Sequence, residues 1–306
     1  MKKKLLITGV SGMLGSNVAY VLRDEYDIIG WYNSNPVFIP GTVSRKVDIT
    51  DQGSVKRWMA DCDPAIVMHC AALTNVDYCE KNKVEARKVN VEATGNIVAV
   101  CDNQDTKVVY VSTDSVYDGK KGNYTEGDPI VPCNYYGVTK CEAESVIKSR
   151  RNHIVVRTNI FGWNVQNKLS LAEWVVSNLE RGCAFDGFMD AMFSSIYTMD
   201  FARILEIMLR RDLVGTFNLG SRTSVSKYDF AALIAGAFNK NKDLITPISI
   251  DGFAFAAKRG KNLSLNTNKL SRALGAELPS IEECVSAFAK DRERGVADEI
   301  KRWSRP

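Results

Sequence analysis

The sequence predicts an α/β protein with a doubly wound parallel sheet and a smaller mixed α/β lobe, and three observations carry this prediction. The chain opens with a short apolar strand that runs through three glycines into an apolar helical pattern. Two later segments, residues 65–72 and 107–112, are apolar runs typical of parallel strands that are covered on both faces. Helical patterns separate the strands, and this alternation indicates βαβ units.

The first fifteen residues contain a turn suited to binding phosphate. Residues 5–8 are predicted as the strand, and glycines follow at three-residue spacing. A backbone without Cβ atoms lets a pyrophosphate approach closely, and the N–H groups and dipole of a helix N-terminus favour the anion. The spacing GxxGxxG differs from the standard GxGxxG fingerprint, so a glycine-rich loop without a ligand is the alternative. The predicted cofactor-binding residues here are Gly9, Ser11, Gly12, Met13, Leu14 and Gly15.

The second predicted strand, residues 27–32, lacks the acidic residue that NAD-binding sheets place near its end to bind the ribose hydroxyls. The window from Ile29 to Pro36 contains no Asp or Glu, and also no Arg. An acid there would repel the additional phosphate of NADP, so the window favours NADP, with NAD as the open alternative. We predict that Asn33, within this window, contacts the cofactor.

Residues 46–51 are predicted as a third strand that ends in an acid and leads into a helix capped by Thr50 or Asp51. Asp48 at the strand end could bond the adenine amino group, whereas Asp51 fits a plain helix cap better. We therefore predict that Asp48 and Ile49 contact the cofactor.

The run 65–72 is predicted as a central strand whose end is made of small residues. Ala71 and Ala72 would let the backbone pass close under the ribose and pyrophosphate of the cofactor. His69 is interpreted as a core histidine rather than a catalyst. A long helix is then predicted from Tyr78 to Asp102, and the buried strand 107–112 follows it.

Hydroxyl groups at the end of strand 107–112 precede a tyrosine–lysine pair by about two dozen residues. Thr113 should face the ligand crevice, because ligands of doubly wound sheets lie at the carboxyl ends of the strands. Tyr136 and Lys140 are four residues apart in a predicted helix, one turn apart on the same face. A nearby ammonium stabilises the phenolate and lowers the pKa of a tyrosine toward neutrality, as acid–base chemistry requires. We predict that Thr113, Tyr136 and Lys140 are catalytic.

Composition narrows the class of protein. The chain has 306 residues, is 45% hydrophobic and 25% charged, and carries a net charge of +4. This charge is too weak for a nucleic-acid footprint but is compatible with anionic small molecules. Eight cysteines without a CxxC pair indicate reduced thiols and a cytoplasmic protein, and the presence of only two histidines argues against a histidine-based zinc site. No apolar run approaches the length of a membrane span, so we expect no membrane partner. We predict no metal-binding residue, and the sequence leaves a metal requirement open.

These features together resemble the extended short-chain dehydrogenase/reductase superfamily. The matching residues are Thr8 to Gly15, Ala71, Ala72, Asn90, Thr113, Tyr136 and Lys140. The resemblance implies a Rossmann domain in which Thr113 holds the substrate oxygen and Tyr136 donates or accepts the proton. It also implies that Lys140 tunes Tyr136 and, with Tyr136 and Asn90, binds the cofactor.

Within that superfamily, the chain resembles the branch of dTDP-4-dehydrorhamnose reductase. The stretches that carry this resemblance are residues 47–51, 71–80, 112–114, 157–158, 197–202 and 259–265. The 4,6-dehydratases of the superfamily have Glu where this chain has Ser115, which argues for a simple reductase. The branch usually has Arg-Thr-Ser-Trp and Arg-Pro where this chain has Arg157-Thr158-Asn159-Ile160 and Arg259-Gly260. The substrate-binding residues that the resemblance implies are Val76, Asp114, Asn159, Ile160 and Arg259.

We expect residues 1–160 to form the dinucleotide-binding domain, with residues 196–215 returning to it. Residues 161–306 should mainly form the substrate-binding lobe, in which residues 281–292 are predicted as the last helix. A smaller lobe of this kind closes over the substrate.

The favoured hypothesis is a reductase that prefers NADP and acts on the 4-keto group of a nucleotide-linked 4-keto-6-deoxysugar. The first alternative is an epimerase that retains NAD. The second is a non-catalytic regulatory subunit that binds NADP, since the superfamily includes such members. We expect the partner to be the sugar nucleotide, and a homodimer is a further expectation.

Overall fold

The computed structural model describes residues 2–101 and 106–304 and has a seven-stranded parallel sheet at its centre. Within these residues the strands are β1 (Lys3–Thr8), β2 (Tyr26–Tyr32), β3 (Val43–Lys46), β4 (Ile66–His69), β5 (Lys107–Thr113), β6 (His153–Thr158), β7 (Ile160–Phe161), β8 (Phe185–Phe188), β9 (Met192–Phe193), β10 (Ile196–Tyr197), β11 (Gly215–Asn218), β12 (Val225–Ser226) and β13 (Ile245–Ile248). The helices are α1 (Met13–Leu22), α2 (Gln52–Cys62), α3 (Val76–Lys81), α4 (Lys83–Arg87), α5 (Ala93–Cys101), α6 (Tyr135–Lys148), α7 (Leu171–Glu180), α8 (Thr198–Arg210), α9 (Lys227–Ala237), α10 (Asn268–Leu274), α11 (Ile281–Glu293) and α12 (Val296–Arg302).

The sheet has the strand order β11-β6-β5-β4-β1-β2-β3, and its neighbouring strands are parallel. The chain builds outward from β1 through β2 to β3, then places β4 on the other side of β1 and continues away from it. This reversal puts the topological switch point between β1 and β4, where the carboxyl ends of parallel strands open a crevice for ligands. The predicted doubly wound sheet is confirmed.

Helices cover both faces of the sheet. Side chains alternate along a strand, so Leu5 and Ile7 of β1 belong to one core layer and Leu6 to the other. The first layer also receives residues of α1 and α8, and the second receives residues of α2, α5 and α6. Burial on both sides explains why the central strands are apolar throughout.

The smaller lobe is a mixed assembly of short strands and helices on the first layer. Strand β8 pairs with β13 in parallel, and β9 pairs with β12 in the antiparallel sense. Trp163 stacks on Phe288 of α11 with 4.0 Å between ring centroids, and both side chains are buried. Helix α8 packs in the same core as α1, and β11 completes the sheet beside β6. The chain thus returns to the sheet through Asn218, and the exact domain division stays a prediction.

Three predicted elements differ from the structure. The third strand is Val43–Lys46 and not 46–51, because the Asp48 carboxylate accepts hydrogen bonds from the Thr50 amide (2.9 Å) and hydroxyl (2.8 Å) and closes a turn there. The long helix predicted from residue 78 is divided at Asn82, whose side chain donates back to the Tyr78 carbonyl, and its predicted end at Asp102 lies outside the described residues. Residues 281–292 are not the last helix, since α12 follows a Gly295 with φ of 77°.

Among the described residues, no helix combines the length and the apolar character that a membrane crossing requires.

Candidate active site

Two positions of the turn between β1 and α1 accept only glycine. Gly9 has φ of +70°, and a Cβ atom there would lie 2.8 Å from the Ala71 Cα atom. A Cβ atom at Gly15 would lie 2.4 Å from the Gly9 carbonyl oxygen. Both contacts are far below van der Waals separation, so the turn has no space for side chains. The backbone is thereby exposed to a ligand from the crevice side.

Helix α1 starts at this turn without a capping side chain. Its N-cap residue is Gly12, whose own amide donates to the Gly9 carbonyl at 2.9 Å, and no side chain accepts from the first turn. Uncapped N–H groups and the positive end of the helix dipole suit an anion. Ser11, Met13 and Leu14 lie at the same end of the helix. The cradle therefore fits the pyrophosphate of a dinucleotide.

The floor of the crevice is held by a chain of buried polar groups. His69 Nδ1 lies 2.7 Å from the Thr8 hydroxyl and its Nε2 lies 3.0 Å from the Thr94 hydroxyl. Burial, together with the charge of Lys140, lowers the pKa of His69 to about 3, so the ring is neutral. The interpretation of His69 as a core residue agrees with this placement.

Asn90 lies in a π-helical turn, Lys88–Glu92, between α4 and α5. Its amide accepts from the Leu73 amide (2.8 Å) and donates to the Leu73 carbonyl (3.1 Å) and the Thr139 hydroxyl (3.0 Å). Asn90 thus fixes the segment after Ala71 and Ala72 against helix α6. These contacts favour an indirect role, in which Asn90 shapes the crevice floor rather than binding the cofactor itself.

The predicted adenosine-binding residues lie at the other end of the crevice, near the edge of the sheet. Asn33 is exposed directly after β2, and Asp48 is exposed after β3. Ile49 is buried, and its carbonyl oxygen accepts from the Asn96 side chain at 3.1 Å. Asp51 caps α2 by accepting from the Gly53 amide, as expected for a plain N-cap. Its pKa is lowered by its hydrogen bonds with Ser54 and Gly53.

The predicted catalytic residues come from two neighbouring elements. Thr113 is the last residue of β5 and is buried, and Tyr136 and Lys140 lie in the first two turns of α6. The Asn134 side chain caps α6 by accepting from the Gly137 amide at 2.9 Å. Thr113 also forms a hydrogen bond with Tyr136 that favours the phenolate. The strand end and the helix start therefore bring a hydroxyl and a phenol together.

The pKa of Tyr136 is shifted in the direction opposite to the one expected from the nearby Lys140. Burial raises the pKa of Tyr136 above its ordinary value, and the hydrogen bond with Thr113 only partly offsets this. Lys140 Nζ donates to the Val111 carbonyl at 2.8 Å and lies 4.2 Å from the centre of the Tyr110 ring. Burial also lowers the pKa of Lys140 to about 7, against the charge of Glu144, which raises it. The phenol is therefore a protonated acid at neutral pH, because burial disfavours its anion.

Asp114 and Asn159, two predicted substrate-binding residues, lie in direct contact. The Asn159 amide donates to one Asp114 carboxylate oxygen at 2.8 Å, and the hydroxyls of Thr113 and Ser115 donate to the other at 3.1 and 3.2 Å. Burial raises the pKa of Asp114, and these hydrogen bonds work in the opposite direction. Asp114 thus fixes the Thr113 hydroxyl beside Tyr136. The contact of Asp114 and Asn159 with substrate stays a prediction.

Arg259 is held beside the first domain by an ion pair. Its guanidinium donates to the Asp77 carboxylate at 2.8 Å, and the other oxygen of Asp77 accepts from the Ala257 amide at 2.9 Å. The Lys258 carbonyl accepts from the Asn134 side chain at 3.1 Å, and Asn134 caps the helix that carries Tyr136. The segment with Arg259 is therefore connected to the start of α6. Val76 begins α3 next to Asp77.

Ile160 forms the short strand β7, which pairs with Ile196 of β10. This strand continues directly from Thr158 of β6 through Asn159. Ile160 is partly buried and packs against the first core layer. The structure therefore gives it a packing role and leaves the predicted contact with substrate as a prediction.

Two residues of the site were missed by the sequence analysis. Lys227 in the first turn of α9 interacts electrostatically with both Asp114 and Arg259, and burial lowers its pKa. A cation in the first turn of a helix opposes the helix dipole, which is the one weak signal that the sequence offered. Asp77 holds Arg259 but resembles an ordinary acid in the first turn of a helix. Its place in the matching stretch 71–80 was the one signal that could have found it.

Among residues 2–101 and 106–304, no group of His, Cys, Asp or Glu side chains is arranged to hold a metal ion.

A glycine cradle at the switch point and a Thr-Tyr-Lys set at the next strand end occur together in this fold, and residues 3–294 match the family model of the RmlD substrate binding domain. The chain belongs to this family. It is 30% identical to a probable low-salt glycan biosynthesis reductase of Haloferax volcanii over 92% of this chain and 96% of the relative. It is 28% identical to the beta subunit of methionine adenosyltransferase 2 of Mus musculus over 95% of this chain and 89% of the relative.

A solved structure of dTDP-4-dehydrorhamnose reductase from Bacillus anthracis, in complex with NADP, is similar to this chain with a TM-score of 0.84. The two are 27% identical, and the similarity covers 95% of this chain and 100% of the other. The resemblance to the branch of dTDP-4-dehydrorhamnose reductase is thereby confirmed.

Proposed function

We propose that this protein is a reductase that prefers NADPH and reduces the 4-keto group of a nucleotide-linked 4-keto-6-deoxysugar. The observation that carries the proposal is the meeting of Thr113 and Tyr136 beside the glycine cradle, with Lys140 one turn further along α6. Membership of the RmlD family and the likeness to a reductase that holds NADP support it.

The residues of this site divide the chemistry between them. A raised pKa keeps Tyr136 protonated at neutral pH, so that it can deliver a proton to the oxygen of the reduced carbonyl. The Thr113 hydroxyl donates to Asp114 before substrate binds, and it polarises the carbonyl once its single hydrogen turns to the substrate oxygen. The reduced nicotinamide, when bound, supplies hydride to the carbonyl carbon. Lys140 lies one turn further along α6, and its protonated form would stabilise the tyrosinate that forms.

The end of β2 supports the preference for NADP. No acid lies between Ile29 and Pro36, and Lys46 at the end of β3 lies next to Tyr32 in the strand register. Lys46 is exposed, so a positive charge is available beside the predicted adenosine-binding residue Asn33. A cation there attracts the additional phosphate of NADP, whereas an acid would repel it.

The proposal is tested by assaying the protein with a panel of substrates and by measuring one variant, Tyr136→Phe. The protein is incubated with NADPH or NADH and a set of nucleotide-linked 4-keto-6-deoxysugars, and the absorbance of the reduced cofactor is followed. We expect stoichiometric oxidation of NADPH with at least one sugar nucleotide. Tyr136→Phe should keep the affinity for NADPH and lower turnover by about 10²–10⁴-fold, because it removes the proton donor only. Turnover of Tyr136→Phe near the wild-type rate would contradict the mechanism.

The panel also separates the alternatives. Conversion of the sugar without net consumption of cofactor, together with NAD that copurifies with the protein, would indicate an epimerase. A second candidate is a regulatory subunit, because one 28% identical relative is named as a subunit of another enzyme. No oxidation of NADPH with any sugar nucleotide, together with a stable protein partner in a pull-down, would favour that candidate. The homodimer and the cytoplasmic location stay predictions.

A further inference from the structure

The connection between β2 and β3, residues 33–42, contains neither helix nor strand. The two strands that it joins are parallel, and connections between parallel strands are usually helices. A helix bonds its own backbone groups, whereas an irregular connection has no such ladder. Other parts of the molecule must therefore hold the β2–β3 connection in place.

The β2–β3 connection starts where the adenosine half of the cofactor is expected. Its first residue is Asn33, the predicted adenosine-binding residue, and the preceding Tyr32 lies next to the exposed Lys46 in the strand register. In doubly wound sheets the adenosine ribose lies near the end of the second strand, and NADP carries its additional phosphate on this ribose. The conformation of the β2–β3 connection should therefore affect how tightly that phosphate binds.

Helix α12 holds the middle of the β2–β3 connection. The Phe38 amide donates to the carbonyl of Trp303, the C-cap residue of α12, at 2.8 Å. On either side of the exposed Phe38, the side chains of Val37 and Ile39 are buried. They belong to the same core layer as Trp303 and Ile300. A backbone hydrogen bond and an apolar underside thus fix the connection to this part of the molecule.

Trp303 is fixed in turn to helix α1. Its ring centroid lies 5.0 Å from that of Tyr20, and its side chain is 3% exposed. The Tyr20 hydroxyl donates to the Glu299 carboxylate of α12 at 3.2 Å, and the Arg23 guanidinium lies 3.9 Å from the centre of the Tyr20 ring. Because α1 starts at the glycine cradle, Trp303 connects the β2–β3 connection to the helix that forms the cradle.

Helix α12 is also attached to the smaller lobe. Lys301 forms an ion pair with Glu173 at 2.8 Å and donates to the Gln166 carbonyl at 3.3 Å. The Glu173 side chain is buried and accepts from the Ser170 amide at 2.8 Å, at the start of α7. The position of α12 is therefore set by the smaller lobe as well as by α1.

The Trp303 side chain acts through packing. Its indole Nε1 is buried and has no hydrogen-bond partner among residues 2–101 and 106–304. Buried polar groups are normally paired, so an unpaired N–H carries a free-energy cost that the packing of the ring must offset. The ring of Trp303, and not its N–H group, is therefore the part that matters.

We propose that Trp303 is a positioning residue for the cofactor, which holds the β2–β3 connection in the conformation that binds the additional phosphate of NADP. The inference rests on the proposed function, since it concerns the adenosine end of the same cofactor site. Without the ring, the connection must become ordered when NADP binds, and this ordering lowers the affinity. Trp303 packs on the last turn of α1, away from the cradle at its start, so the loss should fall on the phosphate-dependent part of binding.

The test compares two cofactors that differ only in this phosphate. Binding of NADPH and NADH is measured by fluorescence titration. Binding of adenosine 2′,5′-bisphosphate, which has the phosphate without the nicotinamide, is measured by calorimetry. We expect Trp303→Ala to weaken binding of NADPH and of the bisphosphate about tenfold, and binding of NADH less than about threefold.

Two further variants identify the part of Trp303 that acts. Trp303→Phe keeps a ring beside Tyr20 and loses only the unpaired N–H group and part of the ring, so it should retain the preference for NADPH. Tyr20→Phe removes the hydroxyl that bonds to Glu299 and keeps the core intact. It should lower the ratio of NADPH to NADH affinity in the same direction, by about threefold.

A control separates positioning from a general loss of stability. Phe230→Leu changes a buried ring of the smaller lobe that packs against Phe161 and Phe193, so it should destabilise the protein and leave the affinity ratio unchanged. Circular dichroism verifies that each variant is folded under the conditions of the titration. An unchanged ratio in Trp303→Ala and Tyr20→Phe, with a wild type that binds NADPH, would overturn this inference alone. A wild type that binds neither cofactor would contradict the proposed function as well.

Discussion

Burial sets the chemistry of individual residues in this site. Tyr136, Lys140 and Asp114 each shift toward the neutral form, because a charge is poorly solvated in the interior. The spacing of Tyr136 and Lys140 in the sequence suggested the opposite direction for the phenol, since only the neighbouring ammonium was visible there. The spacing of residues in the sequence predicts which groups lie close together, whereas burial decides their protonation state.

Lys140 should make the stability of the protein depend on pH. Burial lowers its native pKa to about 7, against about 10.4 in the unfolded chain. Between these values the unfolded chain binds more protons, so the free energy of unfolding should rise as the pH rises above 7. We expect Lys140→Met to flatten this rise between pH 7 and 8.5, as measured by urea unfolding.

The control for this prediction is Lys56→Met, which changes an exposed lysine of α2. It should leave the pH dependence of unfolding as in the wild type. The range stops at pH 8.5 because buried thiols such as Cys70, whose pKa burial raises to about 12, would oppose the rise at higher pH. Equal slopes for Lys140→Met and the wild type would show that Lys140 is not the group responsible.

At the scale of elements, the turn between β1 and α1 is the part that the sequence predicts best. The three-residue spacing of the glycines is local, and the steric reason for it is also local. The helix boundaries near Asn82 and the early end of β3 were not predicted. In both cases a polar side chain bonds to its own backbone neighbourhood, and such bonds compete with regular structure without changing the apolar pattern.

Gly15→Ala should damage the cofactor cradle. The new Cβ atom would lie 2.4 Å from the Gly9 carbonyl oxygen and 2.8 Å from the Val10 Cα atom, so the backbone of the turn must move. We expect the affinity for NADPH, measured by fluorescence titration, to fall at least tenfold, since the displaced amides no longer meet the pyrophosphate.

Gly95→Ala is the matched control, because it lies within helix α5 and its Cβ atom would meet no atom within 4 Å. It should bind NADPH normally and gain about 0.5–1 kcal/mol in the free energy of unfolding, as expected for alanine in a helix. Normal affinity of Gly15→Ala for NADPH would contradict the prediction that this turn binds the cofactor.

At the scale of the whole molecule, a buried ion pair joins the central sheet to helix α6. Arg157 at the end of β6 donates to both carboxylate oxygens of Glu144 in α6, at 2.9 and 2.7 Å. Ser112 of β5 donates to the same carboxylate at 2.7 Å, and Arg157 also donates to the Tyr117 hydroxyl at 2.8 Å. Two strands and a helix are therefore fixed together directly behind Thr113 and Lys140.

Arg157→Met should lower the free energy of unfolding by about 3–5 kcal/mol, because it leaves a buried carboxylate without its main partner. Arg210→Met is the control: it removes an exposed arginine, 72% exposed, paired with Glu206, and should cost less than about 1 kcal/mol. Both values come from urea unfolding at pH 7. Similar decreases in the free energy of unfolding for the two variants would show that the buried ion pair stabilises the protein no more than an exposed one.

The same pair should contribute to acid sensitivity. Burial would raise the pKa of Glu144, but its hydrogen bonds and the charge of Arg157 outweigh this, and the native pKa is lowered. The stability that the pair contributes is therefore full above the ordinary carboxyl pKa, about 4.3, and is lost as the pH falls through the native value. Arg157→Met should accordingly lose less stability than the wild type on acidification below about pH 4.5.

The sequence by itself determined the sheet and the glycine turn and predicted the Thr-Tyr-Lys set, because each is visible in the spacing of residues along one element or two successive ones. Only the tertiary structure decided which residues surround the predicted substrate-binding residues Asp114 and Arg259. Asp77 and Arg259 are 182 residues apart and form an ion pair, and Lys227 comes from the smaller lobe to face Asp114. No periodicity in the sequence relates such positions, because they come into contact only when the smaller lobe packs against the sheet. The fold class thus follows from local pattern, whereas the chemistry that selects a substrate follows from where distant segments meet.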